Sequence, residues 1–278
     1  MFLKLETLQP TGSYKIRGAT NAVLALIERA GSAAPPPIVT ASAGNHGRAM
    51  AHAAAAAGMK LTVYIAADAP RTKVEAIREL GAELRPCRDY DEAERLAKQH
   101  GGPAVYISPY AHPDVIAGAG TVALEILEDL DAVDTIVAAI GGGGLISGIA
   151  IASEGRAEAA GVEVEASTPF TTSLREGRIT EIEVGATLAD GLSGNLDPDT
   201  PTFAIVRERV KRIGVVSEAD LIAAVRGIAE HERLIVEGAA AAAVAAVAAR
   251  KLDLRDRRTV IVLSGANIDL ERWAKIAT

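Results

Sequence analysis

The sequence predicts an α/β protein made of two three-layer domains with mainly parallel sheets. Three observations predict it. Short β-branched runs alternate with longer segments rich in Ala, Leu, Glu and Arg, and such alternation builds a parallel sheet with helices on both faces. The length, 278 residues, suits one large domain or two modest ones. The run Pro35-Pro36-Pro37 is a stiff linker just before the second strand, where the chain can cross between domains. The small domain is expected over residues 37–110, and the large one over 1–36 and 111–278.

The elements follow in order. Phe2 to Glu6 is a short strand with apolar residues at Phe2, Leu3 and Leu5, and Ile16 to Arg29 has helical spacing. The strand Ile38 to Ala41 leads to a helix from Arg48 to Ala57, and the strand Leu61 to Ala66 to helices from Thr72 to Leu80 and Asp91 to Gln99. Ala104 to Ile107 is a strand, Gly118 to Glu128 a helix, Thr135 to Ile140 a strongly apolar strand, and Leu145 to Glu154 a helix. Val162 to Ala166, Ile213 to Val216 and Thr259 to Leu263 complete the strands. Helices Thr202 to Lys211, Leu221 to His231 and Ala239 to Lys251 complete the helical set. Ser217 with Asp220 forms a capping box that opens the Leu221 helix.

Composition narrows the function. Apolar residues make up 49% of the chain and aromatics only 3%, so aliphatic side chains must fill a sizeable core. A formal charge of −7 argues against nucleic acid, which needs a basic face. The one cysteine, Cys87, has no internal partner, which fits a reducing compartment and a cytoplasmic protein. No cationic segment followed by an apolar stretch opens the chain, so no signal peptide is expected. The Ala-rich tract Leu234 to Ala249 is interrupted by Glu237 and is too short to span a bilayer; a buried helix is expected, and no membrane partner.

Four stretches carry chemistry. Lys15, in Ser13-Tyr14-Lys15-Ile16-Arg17-Gly18-Ala19, follows the loop Gln9-Pro10-Thr11-Gly12 and opens a helix. The positive end of a helix dipole and nearby burial both disfavour a charged amine, and a neutral amine is what a Schiff base needs. Alone, the stretch better suits an ordinary surface lysine at a helix start. In Ser42-Ala43-Gly44-Asn45-His46-Gly47, small residues let backbone N–H groups approach an anion such as a carboxylate where the next helix begins, and Asn45 and His46 add side-chain donors. Alone, it equally suits a strand-to-helix turn. Gly141-Gly142-Gly143-Gly144-Leu145 follows an apolar strand; a plain turn does not need four glycines, whereas a backbone wrapped around a phosphate does. No Gly-Lys-Ser/Thr follows, and Ile146 and Ser147 stand where a dinucleotide fingerprint has its third glycine. A phosphate monoester is therefore favoured over NAD or ATP, and a Rossmann dehydrogenase is disfavoured. Ser264-Gly265-Ala266-Asn267 ends the last strand. Ligands in open α/β sheets bind beyond the carboxyl ends of strands, so these stretches suit one pocket. Gly118-Ala119-Gly120-Thr121-Val122-Ala123 also fits a dinucleotide pattern, but it lacks a preceding strand and is set aside as chance.

Together these stretches resemble the threonine/serine dehydratase family of pyridoxal-phosphate enzymes, the group with the tryptophan synthase β-like fold (fold type II). Leu3-Lys4-Leu5-Glu6, the lysine stretch, Ser-Ala-Gly-Asn-His, Val115-Ile116-Ala117-Gly118, Ala189-Asp190-Gly191-Leu192 and the two glycine loops come in the family's order across almost the whole chain. The resemblance implies a role for each residue. Lys15 would hold pyridoxal 5'-phosphate as a Schiff base and move the Cα proton. Tyr14, where the family usually has Phe, would stand beside the ring, and Asn45 would bond the ring hydroxyl. Gly141, Gly142, Gly143, Gly144 and Leu145 would hold the phosphate. Ser264 would face the pyridine nitrogen, Gly191 would line the ring and Glu237 would sit nearby. Ser42, Ala43, Gly44, Asn45 and His46 would hold the substrate carboxylate. The implied reaction is removal of water from a β-hydroxy-amino acid such as L-threonine or L-serine, giving a 2-keto acid and ammonia. A homodimer is implied as well.

A hydroxyl at the pyridine nitrogen cannot act as the acidic partner that a carboxylate would be, so the ring stays a weaker electron sink. Prompt loss of a β-leaving group is then favoured over transamination. Departures from the family pattern sharpen the expectation. The family usually carries a further stretch before this start, with a Thr-Pro-Leu element near the site. Its metal site uses a glutamate, matched by Glu165, and then an aspartate, where Thr171 stands, so no metal is expected. Racemases of the group carry Ser at the position of Ala43, which favours dehydration here. No regulatory module is expected after Thr278. The remaining readings are a serine- or aspartate-type racemase or a β-replacement enzyme of the same fold, and a non-catalytic pyridoxal-phosphate-binding protein.

Overall fold

The computed structural model describes residues 1–277. In chain order its strands are β1 (Phe2–Leu5), β2 (Ile38–Ala41), β3 (Leu61–Ala66), β4 (Glu83–Cys87), β5 (Val105–Tyr106), β6 (Thr135–Ala139), β7 (Glu158–Val164), β8 (Val210–Val216) and β9 (Thr259–Leu263). Its helices are α1 (Lys15–Ala30), α2 (Asn45–Ala56), α3 (Arg71–Glu79), α4 (Tyr90–Lys98), α5 (Pro113–Asp129), α6 (Gly144–Ala152), α7 (Pro169–Glu176), α8 (Pro201–Arg209), α9 (Glu218–Gly227), α10 (Gly238–Ala248) and α11 (Leu270–Ala277). The chain divides into two compact units: Met1–Tyr14 with Gly120–Thr278, and Lys15–Ala119.

The first unit holds a parallel sheet in the order β1-β9-β6-β7-β8. Every residue of β6 and β9 is buried, as expected for inner parallel strands covered on both faces. The sheet packs on α10, whose Ala239 to Ala243 are almost fully buried. Alanine suits this position because its small side chain lets the helix axis approach the strands. The expected buried helix is therefore present, and no helix of the described residues is long and apolar enough to cross a membrane. Because β9 and β6 are parallel neighbours, their carboxyl ends lie side by side.

The second unit holds a four-stranded parallel sheet in the order β4-β3-β2-β5. Strand alternation splits its side chains between two cores. Ile38, Val63 and Ile65 join Met50 of α2 and Val23 of α1 in one, and Val39, Ala41 and Tyr64 meet Ala93 and Ala97 of α4 in the other. Helix, sheet and helix thus form three layers. The set-aside glycine pattern has a packing reason: a Cβ on Gly118 would stand 2.5 Å from the Arg17 carbonyl oxygen, and one on Gly18 would stand 2.8 Å from that of Val115. Two helices cross there at a separation only glycine permits.

The α/β class and parallel sheets match the sequence expectation, and the ends of β2, β3 and β9 fall where it put them. Three elements escaped it. β4 contains Pro86 and so did not read as a strand, but it is an edge strand, where a missing N–H is tolerated. α7 and α11 are short. β7 and β8 each begin a few residues earlier than expected, and α8 stops at Arg209 rather than Lys211 because Val210 already enters β8. The Ser217–Asp220 capping box is present with both reciprocal hydrogen bonds. The helix it opens ends at Gly227 and continues as a π-turn over Ile228–Glu232.

Candidate active site

In the first unit, the loop after β6 winds into the N-terminus of α6 through four glycines. Gly143 has φ +85°, a left-handed conformation that glycine adopts without strain. A Cβ there would stand 2.5 Å from the Phe170 ring and 2.9 Å from Thr202 Cβ. A Cβ on Gly141 would stand 2.9 Å from the Gly191 carbonyl oxygen. The Thr202 hydroxyl donates to the Gly142 carbonyl at 2.9 Å, and Leu145 is buried beneath the loop. A backbone with no room for side chains, ending on free helical N–H groups, is a cradle for an anion.

Contacts run from this cradle around the strand ends. Gly191, on the exposed turn Asp190–Leu192, packs against Gly141 on one side, and its Cβ would stand 3.3 Å from Ala239 Cβ on the other. Glu237 caps α10; its backbone N–H donates to the Gly265 carbonyl at 3.2 Å, and its carboxylate leaves no room for a Cβ on Gly265. Ser264 is buried at the end of β9, and its carbonyl accepts from Tyr14 N–H at 3.0 Å. Ser13 bridges Gly265. Tyr14, Gly141 to Leu145, Gly191, Glu237 and Ser264 therefore lie along one connected edge. The sequence reading did not single out Ser13 or Ser147, yet both hydroxyls are buried with no hydrogen-bond partner among the described residues. Their position beside the lysine stretch and the glycine loop was the available signal.

The second unit carries the other predicted residues. Ser42, Ala43, Gly44 and Asn45 are half-buried on the turn between β2 and α2. The Ser42 hydroxyl accepts from Gly44 N–H at 3.2 Å. Any Cβ on Gly47 would collide with the Ser42 carbonyl, so the turn closes tightly only with glycine there. Lys15 opens α1 and donates from Nζ to the Pro109 carbonyl at 2.8 Å. It follows Tyr14 by one peptide bond, and Tyr14 is the residue bonded to Ser264.

His46 departs from its expected role. It is 2% exposed, with Nε2 3.1 Å from the Thr40 hydroxyl. That hydroxyl spends its single proton on the Ile107 carbonyl at 2.7 Å, so Nε2 carries the imidazole proton and gives it to Thr40. Nδ1 is then an acceptor, buried without a hydrogen-bond partner among the described residues. Burial, reinforced by the charge of Lys15, lowers the imidazole's pKa to about 3. A neutral ring with its one N–H turned away cannot act as the side-chain donor expected at the carboxylate loop; only the backbone N–H of His46 remains for that.

The metal position does not fit a metal. Glu165 is exposed, and the Thr171 hydroxyl donates to Glu163 at 2.5 Å. Among the described residues no group of three or more His, Cys, Asp and Glu side chains could hold an ion. The glycine loop, by contrast, fits a phosphorylated cofactor, because its glycines exclude side chains and it runs into the N-terminus of α6.

Comparison with known proteins decides the family. The family described as pyridoxal-phosphate dependent enzyme matches residues 1–265. The chain belongs to this family. The family's cofactor is pyridoxal 5'-phosphate, as the sequence reading expected. An L-threonine ammonia-lyase of Thermotoga maritima is 39% identical over 99% of the chain and 69% of its own length. A catabolic L-threonine dehydratase of Escherichia coli is 37% identical over 99% of the chain and 85% of its own length. A serine racemase of Schizosaccharomyces pombe is 36% identical with the same coverage. Among solved structures, the processed threonine deaminase isoform 2 of Solanum lycopersicum superposes with a TM-score of 0.89 at 29% identity, covering 99% of this chain and 81% of that one. These family members share the fold type II architecture expected from the sequence.

Proposed function

We propose that this chain is a pyridoxal-phosphate-dependent ammonia-lyase that removes water from a β-hydroxy-amino acid such as L-threonine or L-serine, releasing a 2-keto acid and ammonia. The observation that carries the reading is the connected edge from Gly141 through Gly191 and Glu237 to Gly265 and Ser13, with Lys15 following directly in the chain. When bound, the cofactor supplies the electron sink that makes loss of the Cα proton feasible.

The residues divide the work by their chemistry. Lys15 offers the amine that holds the cofactor's aldehyde and then moves the Cα proton, and the Pro109 carbonyl orients that amine. Gly141 to Leu145 offer N–H groups to the phosphate, with the α6 dipole behind them. Asn45 would bond the ring hydroxyl, Ser264 would face the pyridine nitrogen, and Tyr14, Gly191 and Glu237 would flank the ring. The turn Ser42 to His46 presents backbone N–H groups to the substrate carboxylate. Ala43 has no hydroxyl to return a proton to the opposite face of Cα, which favours elimination over racemisation. In this division residues 37–110 form the small domain, and all four strands of the β4-β3-β2-β5 sheet fall within that range. A cytoplasmic homodimer completes the proposal, with one buried free cysteine in keeping with a reducing compartment.

Purified holoprotein incubated with L-threonine or L-serine is expected to release ammonia and the 2-keto acid. Recovered serine that is racemised without ammonia would assign a racemase, and bound cofactor without turnover a binding protein. Hydride reduction followed by peptide mass mapping is expected to place the pyridoxyl group on Lys15; an adduct on another lysine overturns the site. Light scattering in solution tests the dimer.

A further inference from the structure

Glu163 lies within β7 and has no exposed surface. Its carboxylate accepts from Phe170 N–H at 2.7 Å, Thr171 N–H at 2.8 Å and the Thr171 hydroxyl at 2.5 Å. All three donors are neutral and lie in the first turn of α7. A buried carboxylate is costly, and three hydrogen bonds with a helix N-terminus are what offset that cost. A plain cap would not need so expensive a residue; Ser, Thr or Asp at the helix's own N-cap performs it, and the N-cap residue here, Thr168, makes no side-chain capping bond. What Glu163 fixes is the position of Phe170. That ring is fully buried and lies directly against Gly143, where even a methyl group would not fit between them. Thr202 closes the same side and holds the Gly142 carbonyl.

We propose that Glu163 is the positioning residue of the phosphate cradle: its carboxylate clamps the first turn of α7 so that Phe170, alongside Thr202 of α8, holds the glycine loop in its anion-binding shape. The clamp works without a cation, because the Thr171 hydroxyl that adjoins the family's metal position is bonded to Glu163 instead. This inference rests on the cofactor reading given above.

The test compares binding of pyridoxal 5'-phosphate and of unphosphorylated pyridoxal to the apoprotein, followed by cofactor absorbance. The two ligands differ only in the group the cradle holds. Glu163→Gln keeps the shape but must point its amide N–H₂ at one of the two backbone donors, Phe170 N–H or Thr171 N–H, which bond to different carboxylate oxygens. It is expected to weaken pyridoxal phosphate binding about tenfold, the scale of one lost charge-assisted hydrogen bond, and to leave pyridoxal binding unchanged. Phe170→Leu, which leaves the carboxylate clamp intact, is expected to show the same selective loss and covers the case in which Glu163→Gln does not fold. Equal weakening of both ligands, or lower thermal stability with unchanged binding, overturns the positioning role. So does a change in wild-type phosphate-ligand affinity when EDTA or a divalent cation is added. If wild-type protein shows no preference for the phosphorylated ligand, the cofactor reading itself fails, which is a separate result.

Discussion

Acid should destabilise the second unit through His46, and the size of the effect follows from its surroundings. The imidazole has a pKa of about 3 in the native state against 6.5 for the unperturbed group. Between those two values the unfolded chain binds a proton that the native state refuses, so stability rises with pH throughout that window and is lost as pH falls through it. Each unit of displacement is worth about 1.4 kcal/mol, so the loss reaches about 2 kcal/mol by pH 5 and about 5 kcal/mol below pH 3. Other groups also titrate in this range, so the informative quantity is a difference. His46→Gln places an amide N–H₂ where Nε2–H donates to the Thr40 hydroxyl, and it cannot titrate. Urea unfolding followed by far-ultraviolet circular dichroism at pH 7.5 and pH 5 should show wild-type protein losing about 2 kcal/mol more than the variant. Equal losses refute the reasoning. So does a ¹³C-labelled histidine resonance, assigned to His46 by its absence in the variant, that titrates with a midpoint above pH 5.

Three further outcomes are expected. Gly143→Ala forces a left-handed backbone on alanine and drives a methyl group into Phe170 and Thr202, so pyridoxal phosphate binding should fall about 5- to 150-fold, the equivalent of about 1–3 kcal/mol of overpacking, as read by cofactor absorbance. Gly118→Ala meets the backbone of Arg17 and Gly18, which cannot swing aside as a side chain does; a stability loss of about 1–3 kcal/mol should appear in chemical denaturation while absorbance of bound cofactor per folded molecule stays constant. The proposed placement of Ser264 opposite the pyridine nitrogen predicts that ammonia release from serine outpaces half-transamination of alanine, followed as accumulation of the pyridoxamine form; the reverse order would remove the electronic argument for elimination.

Much of the site was legible because its signals are local. Four glycines after an apolar run, a tight Ser-Ala-Gly-Asn-His turn, a lysine opening a helix and a capping box each depend on neighbours within a few residues. The strands β2, β3 and β9 read correctly for the same reason: a short β-branched run bounded by turn residues has little choice of conformation. Neighbouring residues also explain where the reading stopped short. β4 hid behind Pro86, because only the sheet order reveals that it sits at an edge where no N–H is needed.

Glu163 shows the remaining limit most clearly. In Val162-Glu163-Val164-Glu165 the two acids look alike, as outward-facing members of an alternating strand. Glu165 is exposed and Glu163 is not, because β7 lies inside a parallel sheet covered on both faces and α7 folds back over that acid. The tautomer of His46 was equally out of reach, since it depends on Thr40 and on Ile107, far along the chain. The sequence by itself determined the α/β class, most of the elements in their order and a set of candidate residues for a phosphorylated cofactor, since these follow from local periodicity and backbone freedom. Only the tertiary structure decided which acid is buried against the first turn of α7 and where the His46 proton resides, because both depend on partners brought near by folding rather than by sequence.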